Sequence, residues 1–112
     1  MQRNLDRTFV ALGDPMRLKV VALLRKNPLR SGDIAAAVGV TRPTMSRHLR
    51  ILRKAGLVEE TGSDEDDARA RVYRLRPKPF ADMRDWLDEV EAFWGAELDA
   101  FKEHVERKHM KR

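Results

Sequence analysis

Between Ser31 and Gly56 the chain carries two consecutive apolar patterns of helical period, each closed by a glycine. This pair restricts the fold more than any other feature. Ile34, Ala35 and Val38 mark the inward face of a very short helix over 32–38. Ser31 is placed to cap it, and Gly39 to end it in the left-handed conformation. Thr41 caps the next helix, expected over 42–55. Met45, Leu49 and Leu52 line one side of that helix, and Gly56 terminates it. Two helices flanking a tight turn at Gly39-Val40 have the layout of a helix-turn-helix.

The flanking segments build on this unit. Leu5, Phe9 and Leu12 read as a short helix over 5–12 that ends at Gly13. Asp14-Pro15 opens a second helix, with Asp14 as N-cap and Pro15 in the first turn, where no N–H is needed. Leu18, Val21, Ala22 and Leu24 are its expected apolar face, and Asn27-Pro28 stops it. Leu57–Thr61 and Arg71–Leu75 are short strand candidates, with the polar stretch Gly62–Ala70 as the hairpin tip. Pro77 and Pro79 break the chain before a long helix, expected from about Phe80 to 108, with a basic tail that frays from Arg107. Phe80, Met83, Leu87, Val90, Trp94, Leu98, Phe101 and Val105 follow one another at spacings of three and four, a seam suited to pairing with another helix. The fold class is therefore mainly α with a small β-hairpin: five helices and a two-stranded wing in one domain spanning 1–112.

Charge points to the partner. Residues 1–58 hold 12 Lys/Arg against 3 Asp/Glu, whereas residues 59–112 hold 11 against 15. No acidic residue lies between Ile34 and Val58. A basic region confined to one part of a chain is the footprint of a surface that meets phosphate. The chain contains no cysteine, which removes disulfides, thiolate metal sites and thiol redox chemistry. No apolar run approaches the ~20 residues of a membrane span, and the N-terminal residues lack a signal-peptide core. A cytoplasmic location is the expectation.

On the helix over 42–55, the side opposite Met45, Leu49 and Leu52 carries Arg42, Pro43, Ser46, Arg47 and Arg50. An arginine can pair bidentately with guanine in the major groove, and Ser46 can reach a base or a phosphate. Arg50, Arg53 and Lys54 lie further along and suit phosphate gripping. Thr41 and Thr44 at the helix entry complete this part of the candidate DNA-binding set. His48 falls between the core and outer faces, with no second metal ligand near it in sequence.

Several runs resemble the ArsR-type winged helix-turn-helix repressors. They are Ala11-Leu12-Gly13-Asp14-Pro15-Met16-Arg17-Leu18, Asp33-Ile34-Ala35, Val40-Thr41-Arg42-Pro43-Thr44-Met45-Ser46-Arg47-His48-Leu49, and Leu52-Arg53-Lys54-Ala55-Gly56-Leu57-Val58. Arg71-Val72-Tyr73-Arg74-Leu75 is similar to the second wing strand. Trp86-Leu87, Phe93-Trp94 and Leu98 are similar to the last helix of a metal-independent, autorepressor-containing branch. The resemblance implies a homodimer on a palindromic operator, with Arg42, Pro43, Ser46 and Arg47 facing DNA. Pro43 would shape the helix start. It also implies dimer contacts from the first and last helices, here Leu5 and Phe9 with Leu87, Val90, Trp94, Leu98 and Phe101.

The chain departs from that pattern in two places. Where many members sense metal through cysteines, this sequence has Gly32, Asp33, Ile34 and alanines. His104 and His109, with Asp99 and Glu103, match a second ligand arrangement of the family in residue type, but two histidines five apart do not share a helical face. No metal and no cofactor are expected. The wing tip Ser63-Asp64-Glu65-Asp66-Asp67 is acidic, so any wing contact with phosphate falls to Arg69 and Arg71. Trp86, Phe93 and Trp94 are read as dimer core, with a small-molecule effector at the seam left open. An enzyme is not expected, because no cysteine nucleophile, glycine-rich phosphate loop or histidine–carboxylate constellation is present. The alternative to a DNA-binding regulator is a winged-helix protein-interaction module without specific DNA recognition.

Overall fold

A computed structural model of the protein describes residues 4–62 and 71–110. The element order is α1 (Leu5–Leu12), α2 (Pro15–Lys26), β1 (Leu29–Arg30), α3 (Ser31–Val38), α4 (Arg42–Lys54), β2 (Val58–Thr61), β3 (Val72–Leu75) and α5 (Pro77–Met110). Residues 1–80 and 81–112 form two compact units. None of the described helices is long and apolar enough to cross a membrane.

The first unit is organised around one core. Ala11, Val20, Leu24, Ile34, Ala35, Met45, Leu49, Leu52, Leu57 and Val58 are buried, and Tyr73, Leu75 and Phe80 pack against them. Helical spacing explains the recurring contributions of α4: positions 45, 49 and 52 fall on one stripe. On α2 the inward residues are Val20 and Leu24, with Val21 partly buried. Leu18 and Ala22, expected on that face, point outward. The reason is visible at Arg17, whose side chain takes the adjacent inner position. It donates from Nε to Ala11 O and from Nη2 to Val10 O, which also accepts from Gly13 N–H, so it supplies donors to carbonyls at the end of α1.

Local signals fix the helix ends. The Asp14 carboxylate accepts from Met16 N–H at 2.8 Å and Arg17 N–H at 3.2 Å, so α2 starts where a capped Asp-Pro pair should start it. Gly39 has φ 77° and closes α3; Val40 N–H then donates to Ala35 O at 3.1 Å. Gly56 has φ 78°, and Leu57 N–H reaches back to Leu52 O while Gly56 N–H reaches Arg53 O. This is the six-to-one and five-to-two bond pair of a glycine-terminated helix. It turns the chain directly from α4 into β2.

Four further features differ from the sequence expectations. Ser31 is the first residue of α3 rather than its cap; the cap position is Arg30, which contributes no side-chain bond. Arg30 is held instead by β1, which pairs antiparallel with β3 through Leu29↔Tyr73 and Arg30↔Val72. The sheet therefore has three strands, in the order β1-β3-β2, rather than the two of the expected wing. A two-residue strand carries no alternation to read, so β1 is set by its partner. Helix α5 begins at Pro77, not near Phe80. Both prolines fit in its first turn, where N–H groups have no helical acceptor to lose. At its other end the helix runs through Arg107 to Met110, in place of the expected fraying.

Candidate nucleic-acid interface

Helix α4 presents two unlike faces. Met45, Leu49 and Leu52 are almost completely buried, and Arg42, Ser46, Arg47, Arg50, Arg53 and Lys54 are exposed. The burial of three large apolar residues fixes the rotation of the helix, and that rotation turns the cations outward. The entry of α4 is closed by Thr41, whose Oγ1 accepts from Thr44 N–H at 3.4 Å. The Thr41 hydroxyl in turn donates to Thr44 Oγ1 at 2.9 Å. Both threonines are thus engaged in shaping the first turn, and Thr44 is half-buried. Pro43 is exposed in that same turn.

The cations differ in how they are held. Among the described residues, Arg42, Arg47, Arg50 and Lys54 have no ion-pair partner. The Arg42 guanidinium lies across α3 at Gly32, where an added Cβ would stand 3.4 Å from its Nη2. Arg53 and Arg71 are paired. Arg53 Nη1 lies 2.8 Å from Glu60 Oε1, and Arg71 Nη1 lies 3.6 Å from Glu60 Oε2. The other wing cation named from the sequence, Arg69, lies outside the described residues, as does the acidic run 63–67.

The wing register explains why Glu60 meets α4. Strands β2 and β3 pair as Val58↔Leu75, Glu59↔Arg74, Glu60↔Tyr73 and Thr61↔Val72. Alternation sends Glu59 to the face where Arg74 and Arg76 reach it, and Glu60 to the face of α4. Tyr73 Oη donates to Glu60 Oε1 at 2.7 Å. That bond, with Arg53 and Arg71 close by, holds the Glu60 carboxyl below its ordinary range against the opposing effect of burial. Burial first, and then the bond to Glu60, push the Tyr73 phenol up to about 12. A groove of about 220 Å³ lies here, lined by Ser46, Leu49, Arg50, Arg53, Glu60 and Tyr73.

Three contributors leave no signal in the sequence. Glu60 and Tyr73 become neighbours only through the hairpin register, and the stretch joining the strands has no short turn signal that would set it. Arg17 supports the site from behind: its Nη1 lies 3.4 Å from His48 Nδ1, which ties α2 to α4. The half-buried His48 thus has a packing partner. Among the described residues no three His, Cys, Asp or Glu side chains gather as a metal site would need. On α5, Leu87, Trp94, Leu98 and Phe101 are 53–65% exposed, and Val90 is half-buried. Leu5 is half-buried on α1, and Phe9 is exposed.

A short helix, a glycine turn, a second helix buried on one side and cationic on the other, and a hairpin docked at its far end define a winged helix-turn-helix regulator. The family profile described as bacterial regulatory protein, arsR family, matches residues 14–60. HTH-type transcriptional regulator Rv2034 of Mycobacterium tuberculosis is 35% identical over 93% of this chain and 91% of its own length. Transcriptional repressor SdpR of Bacillus subtilis is 30% identical over 74% of this chain and 88% of its own. The homodimeric winged helix-turn-helix DNA-binding domain of Mb0332 from Mycobacterium bovis superposes with a TM-score of 0.61, at 28% identity, covering 80% of this chain and 83% of that one. The chain belongs to the ArsR family of bacterial regulatory proteins.

Proposed function

We propose that the protein is a homodimeric transcriptional repressor that places α4 in the major groove of a palindromic operator. The observation that carries this reading is the exposed set of cations on α4 opposite a fully buried apolar stripe. Arg42, Ser46 and Arg47 read base edges. Thr41 and Thr44 shape the entry of that helix at the DNA surface. Arg50, Arg53, Lys54, Arg69 and Arg71 contact phosphates and set register without reading sequence. A named repressor among the relatives and a homodimeric relative of the same architecture support the reading.

Dimerisation follows from surface chemistry. The large apolar side chains of α5, and Leu5 and Phe9 of α1, form surfaces that association with a second copy would remove from water. Two copies of α4 then enter successive major grooves about 34 Å apart. Bound at a promoter in the cytoplasm, the dimer occludes polymerase. Relief comes from any effector that changes the angle between protomers, because that angle sets the spacing of the reading helices.

The test is a titration of the protein against DNA from its own promoter region and against random duplex at several salt concentrations. Sequence-selective binding that weakens steeply with salt is expected. Equal, weak binding to both duplexes, at protein concentrations where the dimer is formed, overturns the reading. In that case the winged helix serves protein partners.

A further inference from the structure

Glu60 meets three partners at once. Its Oε1 accepts from Tyr73 Oη at 2.7 Å and lies 2.8 Å from Arg53 Nη1, and its Oε2 lies 3.6 Å from Arg71 Nη1. Arg53 belongs to the reading helix, and Arg71 immediately precedes the wing strand that carries Tyr73. Tyr73 stands directly across the ladder from Glu60 and packs against the core, which fixes where the carboxylate can be. Two cations assigned to phosphate are therefore already engaged by the protein's own anion. Arg47, Arg50 and Lys54 have no such partner among the described residues.

We propose that Glu60 is a specificity-determining positioning residue for DNA recognition, an internal counter-ion that aligns Arg53 and Arg71 and withholds part of their charge from phosphate. The inference rests on the DNA-binding reading above. Phosphate contacts by free cations strengthen binding to every sequence alike. An arginine held by a carboxylate adds less to that general affinity, because phosphate must share or displace the anion. At the operator the balance differs. Base contacts by α4 seat the helix, and Arg53 and Arg71 arrive already oriented, so less side-chain entropy is lost on binding. The carboxylate thereby widens the gap between operator and random DNA.

The experiment compares the full-length protein with E60Q on a footprinted operator duplex and on random duplex of the same length, between about 50 and 200 mM salt, the range over which phosphate contacts weaken most visibly. E60Q keeps the shape of the side chain and removes its charge. Affinity for random DNA is expected to rise roughly two- to fivefold, the size of a surface ion pair released. Its salt dependence steepens, and operator affinity stays level or falls, so the operator-to-random ratio drops. In an R53A/R71A background, E60Q is expected to leave the ratio unchanged. Y73F, which keeps the core ring and loosens the carboxylate, is expected to lower the ratio in the same direction, and it carries the test if E60Q does not fold. An undiminished ratio in E60Q or Y73F overturns the proposal, as does an E60Q effect that persists without Arg53 and Arg71. If the unaltered protein discriminates and the variants do also, only the Glu60 role fails. If the unaltered protein binds neither duplex, the DNA-binding reading fails with it.

Discussion

Asp14 and Tyr73 each tie a titratable group to the local structure around it. Asp14 caps α2 with two backbone N–H bonds, and these, chiefly the one from Arg17, hold its carboxyl below the usual range against partial desolvation. Asp14→Ala should lower the midpoint of chemical unfolding at neutral pH, because two N–H groups of the first turn lose their acceptor. A lowered carboxyl pKa contributes stability above the ordinary carboxylate range and loses it as pH falls through the folded-state value. The gap between the two proteins should therefore narrow in acid, and a constant gap would contradict the capping account. Tyr73, the one tyrosine of the chain, works with the opposite sign. Its phenol is raised to about 12, so the stability tied to its neutral form is complete below the ordinary value of 10.0 and is lost as pH rises toward 12. Ultraviolet titration of the folded protein should place its ionisation near 12. E60Q should lower that midpoint only in part, because burial is the larger cause. A midpoint at the ordinary tyrosine value in the unaltered protein would mean that the phenol is not held as described. Asp14 is legible in the sequence because a cap acts on its own chain neighbours. Glu60 with Tyr73, and Arg17 with His48, are not: each pair is brought together by tertiary packing that no local spacing encodes.

At the scale of elements, α4 carries both stability and chemistry, and its two faces are separable by mutation. Leu49→Ala should cost ~2–5 kcal/mol in unfolding, as expected for a large buried side chain. Arg50→Ala, on the exposed face, should leave stability within about 0.5 kcal/mol and reduce the salt dependence of DNA binding by roughly one phosphate contact. Loss of stability in the second variant, or an unchanged salt slope, would contradict the division of roles. The helices are largely readable because apolar period and a left-handed closing glycine agree with one another at α3 and α4, joined at α4 by the Thr41 cap. The same tools fail where a rule is applied without its position. Pro77 and Pro79 read as breakers, yet a proline in the first turn lacks only an N–H that had no helical partner. Periodicity places Leu18 and Ala22 inward, whereas Arg17 occupies that side to satisfy the end of α1. Strand β1 is invisible in the sequence because two residues have no period.

For the whole molecule, dimerisation and DNA reading are the joined claims. Leu87, Trp94, Leu98 and Phe101 form an exposed apolar series on α5 at helical spacing, which a charge should disrupt. Leu98→Glu is expected to convert a dimer to a monomer in sedimentation equilibrium and to weaken operator binding, since one reading helix must then act alone. Persistence of the dimer in that variant would move the interface elsewhere. The central claim is that the outward face of α4 reads sequence. The most direct measurement is operator affinity for the unaltered protein and for Arg47→Ala, on the native site and on single-base variants of it. A loss of ~1–3 kcal/mol on the native site and relaxed preference at one base position per half-site are expected for Arg47→Ala. Equal affinities of the two proteins across all sites would contradict that claim.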